Sequence, residues 1–126
     1  MAEEGFSNLG KQLADLGLSF VEVNKRLAKM QSDKKRDILK GFANAIIASN
    51  PSDAYLAAKA AGDDLMAKSA ARKLLDSNLR QASRAAIDAD DEDLMELVIQ
   101  EAERKGDRVL AEMTKRELKD KRRSII

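Results

Sequence analysis

Apolar residues in the first thirty positions recur at alternating steps of three and four, the spacing that aligns one stripe along an α-helix. A stripe with this repeat is typical of the seam of a coiled coil. The pattern therefore predicts one long amphipathic helix over residues 6–30, with its apolar side covered by another helix. The seam consists of Phe6, Leu9, Leu13, Leu16, Phe20, Val23, Leu27 and Met30.

Two glycines lie beside this seam. Gly10 and Gly17 are seven residues apart and take the same heptad position. Because a glycine inside a helix costs about 1 kcal/mol relative to alanine, the pair needs a reason. We interpret it as a flank where a second helix approaches the backbone closely, with fraying of the helix as the alternative. Leu18 and Val21 lie off the seam and would widen its apolar face.

The rest of the chain is also predicted to be helical, since capping residues divide it into short segments and no stretch alternates like a strand. Ser32 is expected to cap a second helix that ends at Ser49, because the residue before Pro51 avoids the α region. Its buried side is expected to carry Ile38, Leu39, Phe42, Ile46 and Ile47. Ser52 is expected to cap the next helix. Short helices then follow over residues 53–61, 64–75, 79–89, 92–105 and 108–121.

We therefore predict an all-α fold. Residues 1–50 would hold the long N-terminal amphipathic helix and the second helix, and residues 51–126 would form a helical bundle or stacked short helical hairpins. The Gly62-Asp63 and Gly106-Asp107 pairs are expected to be hairpin turns. The two parts are expected to make one continuous domain. Its core would be thin, because the chain has twenty Ala but only three Phe, one Tyr and no Trp, so self-association or a partner would add buried area.

The chain contains no histidine and no cysteine. Imidazole-dependent triads, thiol nucleophiles and nearly all zinc sites are thereby excluded. Two partial motifs also fail. Residues 88–93 are mostly acidic. A calcium loop that starts at Asp88 would need glycine at its sixth position, where Asp93 stands, and glutamate at its twelfth, where Ile99 stands. Residues 5–11 match the start of a phosphate-binding loop, but Gln12 replaces the Ser or Thr that would hold magnesium. We expect no catalytic residues, no cofactor and no metal site.

No apolar run approaches the roughly 20 residues that span a bilayer, so no membrane insertion is expected. The start of the chain is acidic, with Glu3 and Glu4 where a secretory signal would be basic. Without a recognisable signal, the protein is expected to be cytoplasmic or associated with a particle.

Charge is segregated in blocks although the formal net charge is only +1. Residues 25–40 hold seven basic and two acidic side chains, residues 85–113 hold three basic and ten acidic, and residues 114–126 hold six basic and two acidic. Such blocks can dock on opposite patches or on phosphate backbones. The candidate phosphate contacts are Lys25, Arg26, Lys29, Lys34, Lys35, Arg36, Lys115, Arg116, Lys119, Arg122 and Arg123.

These features predict a non-enzymatic protein that binds another protein or a second copy of itself, as an interaction or structural component of a larger assembly. The seam would supply the contact with the partner, and the charge blocks would set the alignment of the two chains. The alternative is a nucleic-acid-associated protein that binds phosphate backbones through residues 25–40 and 115–123. Stacking aromatics are absent from those clusters, so this alternative carries no sequence-specific readout.

Overall fold

The computed structural model describes the backbone of residues 2–124 and the side chains of residues 8–123. Within that range the chain is all-α, as predicted, with helices joined by short turns and no strand. In chain order the helices are α1 (Ala2–Asp15), α2 (Phe20–Arg26), α3 (Ser32–Ile46), α4 (Pro51–Ala60), α5 (Asp64–Ser77), α6 (Leu79–Asp88), α7 (Glu92–Lys105) and α8 (Arg108–Ser124).

The long N-terminal helix is not confirmed. The segment that was expected to be one helix over residues 6–30 forms α1 and α2, separated by residues 16–19. Gly17 takes the left-handed conformation with φ 76°, which cannot continue a right-handed helix. Glycine adopts this conformation without the strain that it causes in other residues. Ser19 then starts a new helix. The 3-4 spacing of the apolar residues thus continues across a break in the helix. The signals of that break are the local residues Gly17 and Ser19.

Capping residues differ from two of the expected ones. Asn50, and not Ser52, caps α4: its side-chain Oδ1 accepts a hydrogen bond from the Asp53 backbone N–H at 3.1 Å. Pro51 then takes the first helical position, where its missing N–H costs nothing. Ser32 is the first residue of α3, after an N-cap Gln31 whose side chain makes no capping bond.

By internal contacts the chain forms two compact units, Met1–Ala70 and Ala71–Ile126, with the boundary inside α5. That residues 1–50 and 51–126 make one continuous domain stays a prediction.

In the first unit α3 packs against both α1 and α4. Ile38, Leu39 and Phe42 of α3 are at most 1% exposed, which confirms them as its buried side, whereas Ile46 and Ile47 are only half-buried. Gly10 of α1 lies against the backbone of α3: a Cβ built on it would be 2.5 Å from Phe42 N and would overlap Ile38 O. The predicted close approach is therefore confirmed at Gly10. It is wrong at Gly17, where a Cβ would meet nothing within 4 Å.

In the second unit α6, α7 and α8 pack against one another. Alanines form the buried face of α6, and larger apolar side chains fill the buried face of α7. One polar pair is enclosed among them: Ser83 Oγ of α6 lies 2.8 Å from Thr114 Oγ1 of α8. Because the Thr114 hydroxyl donates to the Leu110 carbonyl, the Ser83 hydroxyl is the donor to Thr114. Both hydroxyls are thus satisfied in a buried setting.

Candidate protein-binding turn and basic segment

The turn between α1 and α2 is held by backbone conformation and by a capping box. After Gly17, the Ser19 hydroxyl oxygen accepts a hydrogen bond from the Glu22 backbone N–H at 3.3 Å. The Glu22 carboxylate in return lies 3.5 Å from the Ser19 backbone nitrogen and 3.2 Å from the Ser19 hydroxyl. This reciprocal arrangement satisfies donors that a helix N-terminus otherwise leaves open. It defines where α2 begins.

The turn is also attached to the rest of the first unit. The Phe20 backbone N–H donates to Asp53 Oδ2 at 3.0 Å, which links the start of α2 to the first turn of α4. Val23 and Leu27 are buried, at 0% and 3% exposure, and α2 packs against α4. The buried side of α2 is therefore settled, and the opposite side faces outward.

Large apolar side chains are exposed on this turn. Leu16 is 72% exposed and Val21 is 58% exposed, while Leu18 and Phe20 are half-buried. Residues 16–21 contain no charged side chain, in a chain that is 36% charged. We call residues 16–21 the apolar turn. Clustered exposed apolar residues on an otherwise charged surface mark interaction sites more often than isolated ones do.

The structure divides the predicted seam. Val23 and Leu27 belong to the core of the first unit, Leu13, Phe20 and Met30 are half-buried, and Leu9 and Leu16 are exposed at 36% and 72%. The side chain of Phe6 lies outside the described ones. Because α1 and α2 are separate helices, these residues do not form one continuous stripe. Outside the core, Leu16 and Val21 of the apolar turn and Leu9 of α1 are exposed.

The first basic cluster is displayed on the surface of the first unit. We call residues 25–36 the basic segment: it runs from the last turn of α2 to the first turns of α3 and holds six basic residues and one acidic residue. Lys35 is half-buried, and the other basic side chains are exposed, namely Lys25, Arg26, Lys29, Lys34 and Arg36.

We call residues 114–123 the basic tail and residues 85–113 the acidic block. The basic tail is arranged differently from the basic segment, because the structure brings it against the acidic block. Arg122 Nη2 is 2.7 Å from Glu96 Oε1, and Arg122 Nε is 3.4 Å from Glu92 Oε1. Lys115 Nζ is 2.9 Å from Glu103 Oε1. Hydrogen bonding to Glu96 raises the pKa of Arg122, and hydrogen bonding to Glu103 raises the pKa of Lys115.

Lys121 likewise pairs with Asp90. These pairs join α8 to α7 and to the turn that precedes it, so part of the tail's charge is balanced within the chain. Of the five tail residues predicted as phosphate contacts, Lys115 and Arg122 make these pairs, and Arg116, Lys119 and Arg123 are exposed.

The acidic residues 88–93 serve the start of α7. Asp91 is its N-cap, with Oδ1 accepting from the Leu94 backbone N–H at 3.2 Å, and Glu92 and Asp93 lie in the first turn, where the helix dipole favours negative charge. Across the described residues no group of three or more carboxylates is placed to hold a metal ion. Residues 5–11, which match the start of a phosphate-binding loop, lie inside α1.

In the part of the chain that the structure covers, no helix is long and apolar enough to cross a membrane. The chain matches no protein-family model, and comparisons with curated proteins and with solved structures found no match. In the part of the chain that the structure describes, the protein is all-α with short helices, and its surface includes the apolar turn and the basic segment.

Proposed function

We propose that this is a non-enzymatic binding protein that associates with a protein partner, or with a second copy of itself, through the apolar turn. Such a protein would be an interaction or structural component of a larger assembly. The observation that carries the proposal is the exposure of Leu16 and Val21, at 72% and 58%, on a turn whose backbone is held in place. Exposed leucine and valine gain free energy when a partner covers them.

The turn supports this role because little of it has to be ordered on binding. Gly17, the Ser19–Glu22 capping box and the bond from Phe20 N–H to Asp53 define its backbone. A contact surface that is already in its bound conformation avoids part of the entropic cost of association. The absence of histidine and cysteine from the chain supports binding rather than catalysis as its mode of action.

The test combines association measurements with two matched double variants. Leu16→Ser with Val21→Ser removes the exposed side chains of the apolar turn. Leu65→Ser with Val109→Ser is the control, since those residues are also exposed, at 81% and 70%, but lie on α5 and α8. Covering the exposed parts of Leu16 and Val21 is worth about 3 kcal/mol, or about a hundredfold in Kd.

Self-association is measured by sedimentation velocity against the 13.9 kDa monomer, and hetero-association by photo-cross-linking from position 16 in the native source. We expect the first double variant to lose association without losing helical ellipticity, and the control to keep it. Monomeric sedimentation together with no protein cross-linked from position 16 would refute the proposal.

We propose binding of phosphate backbones as a second candidate function. It is supported by the exposure of Lys25, Arg26 and Lys29 in the basic segment. Neutralised phosphates release counterions, so binding should weaken steeply with salt, with a log–log slope of about −0.9 per phosphate contact.

The measurement for this second candidate is fluorescence anisotropy of labelled duplexes and single strands at several salt concentrations. Changing Lys34, Lys35 and Arg36 to Glu should abolish binding, whereas changing Arg116, Lys119 and Arg123 to Glu should reduce it less. No binding at about 50 mM salt would exclude this function, and it would leave the apolar turn untouched.

A further inference from the structure

Two adjacent segments of the chain have the same architecture. Residues 50–77 and residues 78–105 are each 28 residues long. Each begins with an asparagine cap, continues with a ten-residue helix, turns over three residues and ends with a fourteen-residue helix. Helices α4 and α5 therefore correspond in position and length to α6 and α7.

The asparagine caps of the two segments agree in conformation. Asn50 has φ −142° and ψ 74°, and Asn78 has φ −153° and ψ 86°. Each side chain accepts a hydrogen bond from the backbone N–H three residues later, at 3.1 Å from Asp53 and at 3.2 Å from Gln81. This backbone conformation lies outside the usual helical and extended regions, so its occurrence at both equivalent positions is informative.

The turns inside the two segments also agree. Each contains a residue in the left-handed region, Gly62 at φ 72° and Asp90 at φ 56°, followed by an aspartate. The backbone N–H of Asp63 donates to the Ala58 carbonyl at 3.0 Å, and that of Asp91 donates to the Ala86 carbonyl at 2.9 Å. Both aspartates then cap the following helix through Oδ1.

Burial follows the same 28-residue period. On the short helices Ala54, Ala57 and Ala58 correspond to Ala82, Ala85 and Ala86, and all six are at most 1% exposed. On the long helices four further equivalent pairs are buried at both members, namely Ala67/Met95, Ala70/Val98, Ala71/Ile99 and Leu74/Ala102. Tyr55 and Ser83 are likewise both buried.

Surface positions of the two segments are not preserved in the same way. Lys68 and Lys73 on α5 correspond to Glu96 and Glu101 on α7, so the charge is reversed at equivalent places. This combination is what a duplicated structural unit shows after its surface has diverged, because packing constrains buried positions and solvent does not constrain exposed ones.

Helix α8, with the turn before it, repeats only the second half of these 28-residue segments. Gly106 is left-handed at φ 79°, and Asp107 caps α8 by accepting from the Leu110 backbone N–H at 3.1 Å. Its buried residues Ala111, Thr114 and Leu118 follow Asp107 at the distances at which Met95, Val98 and Ala102 follow Asp91. It packs against both α6 and α7, and its ion pairs reach Glu92, Glu96 and Glu103 of α7.

We propose that residues 50–105 are a tandem duplication of one 28-residue helix–turn–helix module, and that α8 is the terminal cap of an array that admits further modules. In repeat proteins each module interacts with its neighbours, and a terminal element closes the array. The series of modules can then be lengthened in whole modules without altering either end of the chain. The inference is independent of the proposed function.

The test is insertion of a third module. A copy of residues 78–105 is placed between Ser77 and Asn78, which creates a single new junction, from Lys105 to Asn78. The control carries an insertion of the same 28 residues in scrambled order. We expect the module copy to raise the molar helical ellipticity by about a quarter, to leave the number of cooperative unfolding transitions as in the parent and to protect the amides of the new helices from exchange.

The scrambled insertion should behave as an added loop, with unchanged helical content per molecule and rapid proteolysis inside the inserted residues. A second variant, with a copy of residues 50–77 at the same place, tests the other version of the module. If both copies are cleaved as readily as the scrambled insertion, or if both abolish cooperative unfolding, the modular array is overturned. Folding of either copy as a protected helical pair supports it.

Discussion

Replacement of Gly10 by alanine tests the packing of α1 on α3. The added methyl group would lie 2.5 Å from Phe42 N and 3.0 Å from the carbonyl carbon of Gly41, and it would overlap Ile38 O. Ordinary contacts of this kind are longer by nearly an ångström. All three neighbours are backbone atoms, so no side chain can rotate away, and α1 has to move as a whole.

The expected cost combines two opposing terms. Overpacking a close contact costs about 1–3 kcal/mol, and the upper part of that range applies here because the neighbours are rigid. Alanine is a better helix former than glycine by about 1 kcal/mol, which offsets part of it. We therefore expect Gly10→Ala to destabilise the first unit by about 2 kcal/mol, or to lower its Tm by about 10 °C.

The assay is urea unfolding followed by circular dichroism, combined with amide hydrogen exchange in α1 and α3. Asn8→Ala is the matched control, because Asn8 is exposed on the same helix and the change improves helix propensity without a clash. The control should be neutral or slightly stabilising. If Gly10→Ala were as stable as the parent, the close approach of the two helices would be refuted.

Three further expectations concern the second unit. Thr114→Val leaves the buried Ser83 hydroxyl without its acceptor and should cost about 1–3 kcal/mol in urea unfolding; adding Ser83→Ala should recover most of the loss, and strictly additive effects would contradict the bond. Gly106→Ala should cost about 1 kcal/mol, because φ is 79° although nothing lies within 4 Å of the new Cβ; an unchanged unfolding midpoint would argue against that strain. A side-chain hydrogen bond from Arg104 lowers the pKa of Glu101, so this carboxylate stabilises the fold above its ordinary pKa and the contribution is lost as the pH falls through the lower folded value. Arg104→Ala should raise that pKa in an NMR titration and weaken the loss of stability in acid, and a Glu101 titration that did not move would contradict the pairing.

Most helix boundaries beyond residue 50 could be predicted because each is marked by a local signal. Glu92 and Lys105 bound α7 as expected, since an aspartate precedes the helix and Gly106 follows it. The two misplaced caps are the serines at residues 32 and 52. Proline at the first helical position makes the preceding Asn50 the cap of α4, whereas α3 begins at Ser32 after Gln31, whose side chain makes no capping bond.

The periodicity of the apolar residues predicts one helix where the structure has α1 and α2. Leu13, Leu16 and Phe20 keep the helical spacing across the break, although Gly17 and the Ser19-x-x-Glu22 capping pattern mark a helix end and a helix start. The Gly-Asp pairs do not mark the 28-residue repeat, because Asp90 stands where the first module has Gly62. Exposure of the apolar turn depends on how α2 packs and is not encoded in any short motif.

The segregation of charge has a consequence for the behaviour of the protein in solution. Residues 71–126 carry thirteen basic and thirteen acidic side chains, whereas the remaining residues of the first unit, outside the basic segment, carry four basic and eight acidic. The basic segment carries a net charge of +5 and the rest of the first unit carries −4, so the first unit has a local positive patch although the whole chain is nearly neutral. A local positive patch of this kind favours retention on a cation exchanger even near the isoelectric point, and its attraction to acidic surfaces decreases as added salt shortens the Debye length.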